Sequence, residues 1–329
     1  MLKTTGRSLA ALSLMAALFW AAVPTPASAI ETVATLERIE GTVSVELEDG
    51  KSASGRNGQL LNAGDKVVTS RSGQATIKFR DGSEIRVLPN TDFKVDLVQE
   101  KGKSARAFQY KLSMKLGSVW GNFIKQKHAA SVTTTTATIG IKGTTLRVVE
   151  RDGKARVALT EGEVEVKNTR HKATLTPGKR LSDFGPTDDL PKKVEDIPFK
   201  LDVKTDVKKL VWEDSRNAQA YVTLQLVDVK RAGNMARSGS VYLRSNYDKV
   251  VYPGQVNLNE RGFARVQLEF PKPDGSDSQL AGNIYVWAVM AGEKDDDVGE
   301  GKVLFTYDPP PTTKKIQVRA DTGETKQVK

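Results

Sequence analysis

The feature that most constrains this chain is a succession of short segments, between residues 33 and 184, in which polar and apolar residues alternate. Turn signals separate these segments about every ten residues. They are Gly64-Asp65, Asp81-Gly82, Pro89-Asn90, Gly117, Gly140 to Gly143, Asp152-Gly153, Glu161-Gly162 and Pro177-Gly178. A period of two buries one face of a strand and leaves the other polar. The sequence therefore predicts an all-β fold.

Two Asp-Gly pairs indicate hairpins. Asp81-Gly82 lies between QATIKF and EIRVL, and Asp152-Gly153 lies between two further alternating segments. Asp-Gly favours the positive φ values that a two-residue hairpin turn requires. We therefore predict tight hairpins at both places.

A weak internal repeat accompanies the hairpins. A glycine opens a valine-containing strand in GTVSV at 41, GSVWG at 117 and GEVEV at 162, and a glycine turn with a closing strand follows in AGDKVVT at 63 and PGKRLSD at 177. Recurring units of this kind are typical of strands wound in a coil. The hairpins indicate that the winding is irregular.

Residues 33–184 contain a series of segments in this order: GTVSV, AGDKVVTS, SGQATIKFRDGSEIRVLPNTDF, LGSVWGNF, TATIGIKGTTLRVV, LTEGEVEV and TPGKRL. This series resembles the FecR domain. The resemblance implies a β-solenoid-like fold and makes GIKGTT that family's turn-and-strand signature. It also implies a relation to regulators that carry a cytoplasmic anti-sigma segment, one membrane span and a distal segment that meets a TonB-dependent receptor. This chain opens instead with an apolar leader.

The remaining sequence divides into three parts. Residues 185–198 contain three prolines and little apolar pattern, which predicts a linker. About seven short strands follow over residues 199–308, a number typical of an immunoglobulin-like β-sandwich, and their layout resembles bacterial Ig-like modules. Residues 309–329 are polar and begin with prolines, which predicts a disordered tail.

The N-terminus has the three parts of a secretory signal. Lys3 and Arg7 precede an apolar stretch over residues 8–23, and PTPASA follows. The stretch is shorter than the ~20 residues that span a bilayer. We therefore expect cleavage of the signal peptide 1–29 after Ala29, export to the bacterial periplasm or cell exterior, and no transmembrane segment in the mature chain. The alternative is an uncleaved anchor.

The chain is basic, with a formal net charge of +10, and it contains no cysteine. Disulfides, thiolate metal sites and a cysteine nucleophile are therefore excluded. An exported basic chain meets anionic lipid or polymer more readily than nucleic acid. We expect a protein or an anionic envelope polymer as partner, and no nucleic acid.

Candidates for catalysis are few. The only histidines, His128 and His171, lie in polar segments and are predicted to be exposed. Asp65 and Asp81 adjoin glycines and are predicted to hold turns, and no carboxyl group lies in an apolar segment that would raise its pKa. The sequence predicts no catalytic residue, no cofactor and no metal site.

The densest acidic segment is GEKDDDVGEG, which lacks the spacing of a calcium loop. It is predicted to be a solvated hairpin loop, and its acidic residues are Glu293, Asp295, Asp296, Asp297 and Glu300. The tryptophans at 120, 212 and 287 lie in or near strand patterns, which favours a buried core role over a sugar-stacking platform.

The sequence leaves two roles open for one motif, GIKGTT: a structural role and a binding role. GIKGTT places Lys142 before the second glycine, whereas a phosphate-binding loop needs the lysine after it. The segment is either a turn between packed strands, with Lys142 in solvent, or an anion-binding nest. Its residues Gly140, Lys142, Gly143 and Thr144 are the candidate interaction residues.

These observations favour an exported, non-enzymatic interaction or ligand-binding protein of the cell envelope. One alternative is a periplasmic signalling accessory to a membrane partner, as the FecR resemblance implies. A second alternative is a glycan- or wall-directed enzyme that uses a pair of carboxyl groups.

Overall fold

A computed structural model describes residues 32–100, 108–125, 130–213, 216–291, 297–309, 316–318 and 325–327. The predicted signal peptide 1–29 lies outside these residues. The described part of the chain consists of β-strands, two short 3-10 helices and no α-helix, so the all-β prediction is confirmed.

The first lobe, residues 32–197, contains seventeen of the described strands. The first eight are β1 (Thr32–Glu40), β2 (Val43–Glu46), β3 (Ser52–Ser54), β4 (Gln59–Asn62), β5 (Lys66–Thr69), β6 (Gln74–Phe79), β7 (Glu84–Val87) and β8 (Asp92–Glu100). The next eight are β9 (Phe108–Asn122), β10 (Ala130–Thr134), β11 (Thr138–Ile141), β12 (Thr145–Arg151), β13 (Lys154–Glu161), β14 (Val164–Lys167), β15 (Lys172–Leu175) and β16 (Lys179–Phe184). A 3-10 helix (Leu190–Lys193) and β17 (Val194–Asp196) complete it.

These strands form two ladders that share β9. The front ladder runs β4-β1-β6-β7-β9-β12-β13-β16-β17, and the back ladder runs β3-β2-β5-β8-β9-β10-β11-β14-β15. Every pair is antiparallel except β9 with β10. Valine, isoleucine and leucine side chains from both ladders make one core between them.

The predicted repeat has a common backbone feature. In each of its three copies the opening glycine, at 41, 117 and 162, has a positive φ. Gly117, with φ 111°, lies where β9 passes from the back ladder to the front ladder, and a Cβ there would lie 2.3 Å from the Thr91 hydroxyl oxygen. Only glycine fits this backbone. The solenoid-like description of the winding stays a prediction.

The two predicted hairpins differ in their turns. Asp152 and Gly153 both have positive φ, and Arg151 pairs directly with Lys154, as a two-residue turn requires. At the other hairpin only Gly82 has positive φ, and Phe79 donates its amide to the Ser83 carbonyl. The loop there is one residue longer than predicted because Asp81 keeps an ordinary backbone and uses its carboxylate to accept from the Ser83 amide at 2.8 Å.

The segment predicted as a linker, 185–198, carries the 3-10 helix and β17. Leu190 and Ile197 are buried, and β17 pairs with β16 at the end of the front ladder. Independent folding of the two regions that it joins stays a prediction.

The second lobe, residues 199–307, is built from nine strands of the described chain and one 3-10 helix, Gly275–Leu280. The strands are β18 (Phe199–Thr205), β19 (Ala218–Asp228), β20 (Gly233–Asn234), β21 (Gly239–Ser245), β22 (Val256–Leu258), β23 (Phe263–Phe270), β24 (Asn283–Met290), β25 (Val298–Gly299) and β26 (Gly301–Thr306). One sheet joins β18, β19, β20, β23 and β25, and a second has the order β22-β21-β24-β26. A second apolar core is formed by strands of both sheets. Its assignment as an Ig-like sandwich stays a prediction.

Most of the predicted tail lies outside the described residues. Its described parts, β27 (Ile316–Val318) and β28 (Thr325–Gln327), pair antiparallel.

Candidate functional site

The outer face of the front ladder carries a row of polar and aromatic side chains. Thr76, Arg86, Trp120, Arg147 and Ala158 are direct neighbours in register across five adjacent strands. All five are buried although they point away from the core of the first lobe. Another part of the molecule must therefore cover this face.

The cover is the β22-β21-β24-β26 sheet of the second lobe. Tyr242 and Arg244 on β21, and Trp287 and Val289 on β24, are buried outside the second core. Tyr242 and Val289 pack with Leu88 and Trp120 of the first lobe in a small separate cluster. We call the contact between this sheet and the outer face of the front ladder the seam.

Arg244 is the central charged residue of the seam. Its Nε donates to Glu84 Oε2, and the two side chains are only 6% and 12% exposed. The guanidinium carbon lies 4.8 Å from the centre of the Trp287 ring and 5.3 Å from that of Trp120. Cations over aromatic faces are attracted to the ring quadrupole, more strongly where water is excluded. Arg244 therefore joins the lobes by charge and by stacking.

Arg86 has the corresponding position on the first lobe. Nη2 donates to Glu40 at 2.8 Å and Nη1 donates to Thr76 at 3.3 Å. Its guanidinium carbon lies 4.8 Å from the centre of the Tyr242 ring, and the Tyr242 and Trp120 rings meet edge to face at 6.2 Å. Burial raises the pKa of Tyr242, so its hydroxyl stays protonated.

Glu300 closes one end of the seam. Its carboxylate accepts from the Trp120 indole N–H and, at 2.7 Å, from the Thr160 hydroxyl. The residue as a whole is partly buried, but its carboxyl group lies deep enough that burial raises its pKa to about 7. The expectation that no carboxyl group has a raised pKa is wrong at this residue, because the apolar surroundings come from the other lobe.

Two further contacts join the lobes near Glu300. The Lys302 ammonium pairs with Glu161, and Arg147 Nη1 donates to the Met290 carbonyl at 3.1 Å. Arg147 is buried, whereas Lys302 and Glu161 are partly exposed. A buried charge is costly unless it is paired and hydrogen-bonded. The seam therefore depends on specific partners in a way that an apolar contact does not.

The acidic segment near residue 297 separates into different environments. Glu300 is in the seam, whereas Asp297 pairs with Arg237 at 3.1 Å and is partly buried. Glu293, Asp295 and Asp296 lie outside the described residues. In the part of the chain that the structure describes, no group of three or more His, Asp or Glu residues is arranged to hold a metal ion.

The GIKGTT residues span the end of β11, the turn at Lys142 to Thr144 and the first residue of β12. Gly143 has φ 66°, and a Cβ there would lie 2.6 Å from Lys125 Cα. Lys142 is exposed, and its ammonium is 3.4 Å from Glu163. Thr144 is buried, and Gly140 lies within β11. The loop thus combines a constrained glycine with a solvated lysine, and its role in binding stays a prediction.

The other candidates from the sequence are dispersed. His171 is part-exposed with Nδ1 3.9 Å from Asp189, and His128 lies outside the described residues. Asp65 is buried and accepts from the Asn62 amide at 2.8 Å, so it holds its turn. Neither His171 nor Asp65 has a hydrogen bond or ion pair to a residue of the seam.

The tryptophans also divide between two environments. Trp212 packs against the second core and donates to the Phe270 carbonyl at 2.7 Å. Trp120 and Trp287 are buried as expected, but in the seam and not in either core.

Sequence reasoning missed the three arginines of the seam, which lie within strands in EIRV, TLRV and YLRS. Arg86 and Arg147 have an apolar residue on each side, and Arg244 lies between Leu243 and Ser245. Strands β7 and β12 are buried on both faces, as are the last five residues of β21. In EIRV the polar and apolar residues alternate as in a half-exposed strand, so this local pattern does not show that the arginine face is covered.

The comparisons with known proteins agree with the resemblance found in the sequence. Residues 65–165 match the family model described as FecR protein. The matched range includes Arg86, Trp120, Arg147 and the GIKGTT loop. The search of curated proteins found no match.

Solved structures give remote likenesses. A candidate anti-sigma factor from Parabacteroides distasonis is 16% identical, with a TM-score of 0.31 over 39% of this chain and 61% of its own. A glycosyl hydrolase family 2 member from Bacteroides cellulosilyticus is 10% identical, with a TM-score of 0.25 over 84% of this chain and 29% of its own. This chain thus spans less than two thirds of either protein. Scores at this level do not establish a common fold.

Among the described residues, no helix has the length and apolar character needed to cross a membrane.

Proposed function

We propose that this chain is an exported, non-enzymatic interaction protein of the bacterial cell envelope. In this proposal a FecR domain of solenoid-like winding, residues 33–184, is joined to an Ig-like sandwich, residues 199–308. The partner is a protein or an anionic envelope polymer. The match to the FecR family model supports the placement in the envelope.

The observation that carries the proposal is the position of Glu300. With a pKa raised to about 7, this carboxyl group is, among those of the described residues, the one best suited to proton transfer at neutral pH. It is instead engaged by Trp120 and Thr160 inside the contact between the lobes. A group held in this way serves as a structural acceptor that joins the two lobes.

We propose that the GIKGTT loop is a turn between packed strands, and that its residues would form a partner contact only in the alternative in which the loop binds an anion. Lys142 is 68% exposed and carries a charge suited to an anionic partner. Gly140, Gly143 and Thr144 would fix the backbone that presents it. The net positive charge of the chain supports an anionic surface as the partner.

In-cell crosslinking of the tagged full chain tests the proposal. We expect one dominant crosslinked partner, recovered equally with the wild-type chain and with Glu300→Gln, because Glu300 is enclosed in the seam. Binding of the purified partner to the purified chain should then be reproduced in solution.

An enzymatic role predicts a different result. A glycan- or wall-directed enzyme should turn over envelope polymer, and substitution of the neighbouring carboxyl groups Glu161 and Glu300 by glutamine should abolish turnover while the protein stays folded. Turnover with that dependence, in place of stable binding, would overturn the proposal.

A further inference from the structure

Hydrogen-bond donors without a partner are concentrated in the seam. Among the described residues, four buried side-chain donor atoms there make no hydrogen bond: Arg86 Nε, Tyr242 Oη, Arg244 Nη1 and Trp287 Nε1. The first three residues are 4–5% exposed. A buried polar atom without a partner costs about 1–3 kcal/mol, and more where the group is charged. Such a concentration points to a ligand that accepts hydrogen bonds.

Three of these residues line one small cavity between the lobes. Arg86, Tyr242 and Arg244 face it together with Arg38 and Glu84, and its volume is about 10 Å³. A cavity of roughly this size admits one particle comparable to a water molecule. Sulfate, phosphate and organic anions are too large for it.

The charge and hydrogen-bonding character of the lining favour an anion over water. Three arginines face the cavity, whereas two carboxylates pair with them, because Glu84 accepts from Arg244 Nε and Glu40 accepts from Arg86 Nη2 at 2.8 Å. Arg86 Nε and Arg244 Nη1 can only donate, and burial raises the pKa of Tyr242 so that its hydroxyl also remains a donor. A water molecule both donates and accepts, whereas a monatomic anion only accepts.

We propose that the seam cavity binds one small monovalent anion of the halide type, held by Arg86, Tyr242 and Arg244. Because Arg86 belongs to the first lobe and the other two to the second, the ion bridges the lobes. Bound in this way, it satisfies donors on both sides of the contact.

The test is the thermal unfolding of the full chain as chloride replaces gluconate, a larger monovalent anion, at constant ionic strength. A ligand of the folded state raises the melting temperature in proportion to RT ln(1 + [L]/Kd). We expect such a rise with chloride. Tyr242→Phe keeps the ring and removes one donor, so it should weaken apparent chloride affinity about tenfold, the scale of a hydrogen bond to a charged group.

Tyr221→Phe is the matched control. Tyr221 is an exposed tyrosine on β19 of the second lobe, and its loss of a hydroxyl should leave the chloride dependence unchanged. Crystals soaked in bromide should show an anomalous peak in contact with Arg86 Nε, Arg244 Nη1 and Tyr242 Oη.

Two results would overturn the proposal. The first is a water molecule in the cavity with no anomalous signal after bromide soaking. The second is a chloride dependence that is absent, or that is identical in the wild type and Tyr242→Phe, because the effect of chloride would then arise elsewhere.

Discussion

Ile85 and Arg86 are consecutive residues of β7, and both are almost completely buried, yet they belong to different kinds of interior. Ile85 pairs with Ile77 inside the apolar core of the first lobe. Arg86 points the other way, into the seam, where charged and aromatic groups from both lobes meet. One strand thus separates two interiors of opposite chemistry.

The difference shows what each interior specifies. An apolar core needs volume and shape, and it tolerates exchange between residues of similar size. The seam needs particular partners, because a buried charge that loses its partner keeps its desolvation cost. The core therefore stabilises each lobe, whereas the seam fixes how one lobe contacts the other.

The largest expected effect is the loss of Arg244. Arg244→Ala leaves Glu84 buried without its partner and removes the stacking on Trp120 and Trp287, so it should lower the free energy of unfolding by about 3–5 kcal/mol. Chemical denaturation of the full chain measures this.

Two control variants compare the seam with the apolar core of the first lobe. Glu84→Leu combined with Arg244→Met removes both charges and should restore most of the stability. Ile85→Leu changes shape at nearly constant volume and should cost less than about 1.5 kcal/mol. A double variant as unstable as Arg244→Ala would show that the seam does not depend on pairing.

The next largest effect is that of substituting Glu300, which should raise the free energy of unfolding where Arg244→Ala lowers it. Its pKa is raised from 4.5 to about 7 in the folded protein, so the folded state holds a proton that the unfolded state has lost. The stability due to this group is complete below pH 4.5 and is lost as the pH rises to about 7.

Glu300→Gln carries no ionisable group at this position, so it does not lose stability as the pH rises. Above pH 7 the variant should be more stable than the wild type by up to about 3 kcal/mol, and the difference should vanish towards pH 4.5. Denaturation midpoints across this pH range provide the measurement. A difference that stays constant with pH would place the carboxyl group outside the buried part of the seam.

A smaller effect tests the GIKGTT loop. Gly143→Val introduces a β-carbon at positive φ and 2.6 Å from Lys125 Cα, which should cost at least about 1–2 kcal/mol. Gly153→Val is the control, because Gly153 has a similar φ of 69° but no atom within 4 Å of a β-carbon. Equal losses in the two variants would mean that the contact with Lys125 contributes nothing.

The smallest expected effect is that of Lys142→Ala. Its ion pair with Glu163 is exposed on both sides, so the change in stability should lie within about 0.5 kcal/mol. We also expect unchanged binding to a captured partner. Weaker binding that depends on salt would show that Lys142 belongs to an anion or partner site.

The sequence by itself determined the elements of the fold. Alternation with a period of two marked the strands and the apolar face of each, and glycines at 117 and 143 marked places where the backbone needs a positive φ. These signals are local, because each depends on residues within a few positions of one another. The all-β class and the resemblance to the FecR family could therefore be predicted.

The tertiary structure alone decided which polar faces are buried. Glu84 and Arg244 are 160 residues apart in the chain, and Trp120 and Glu300 are 180 apart. A period-two pattern specifies that a strand has two faces, but it contains no information on what covers the polar one. A row of buried arginines and a row of solvated arginines would show the same alternation in sequence. Only the packing of the second lobe removes water from the arginines of the front ladder.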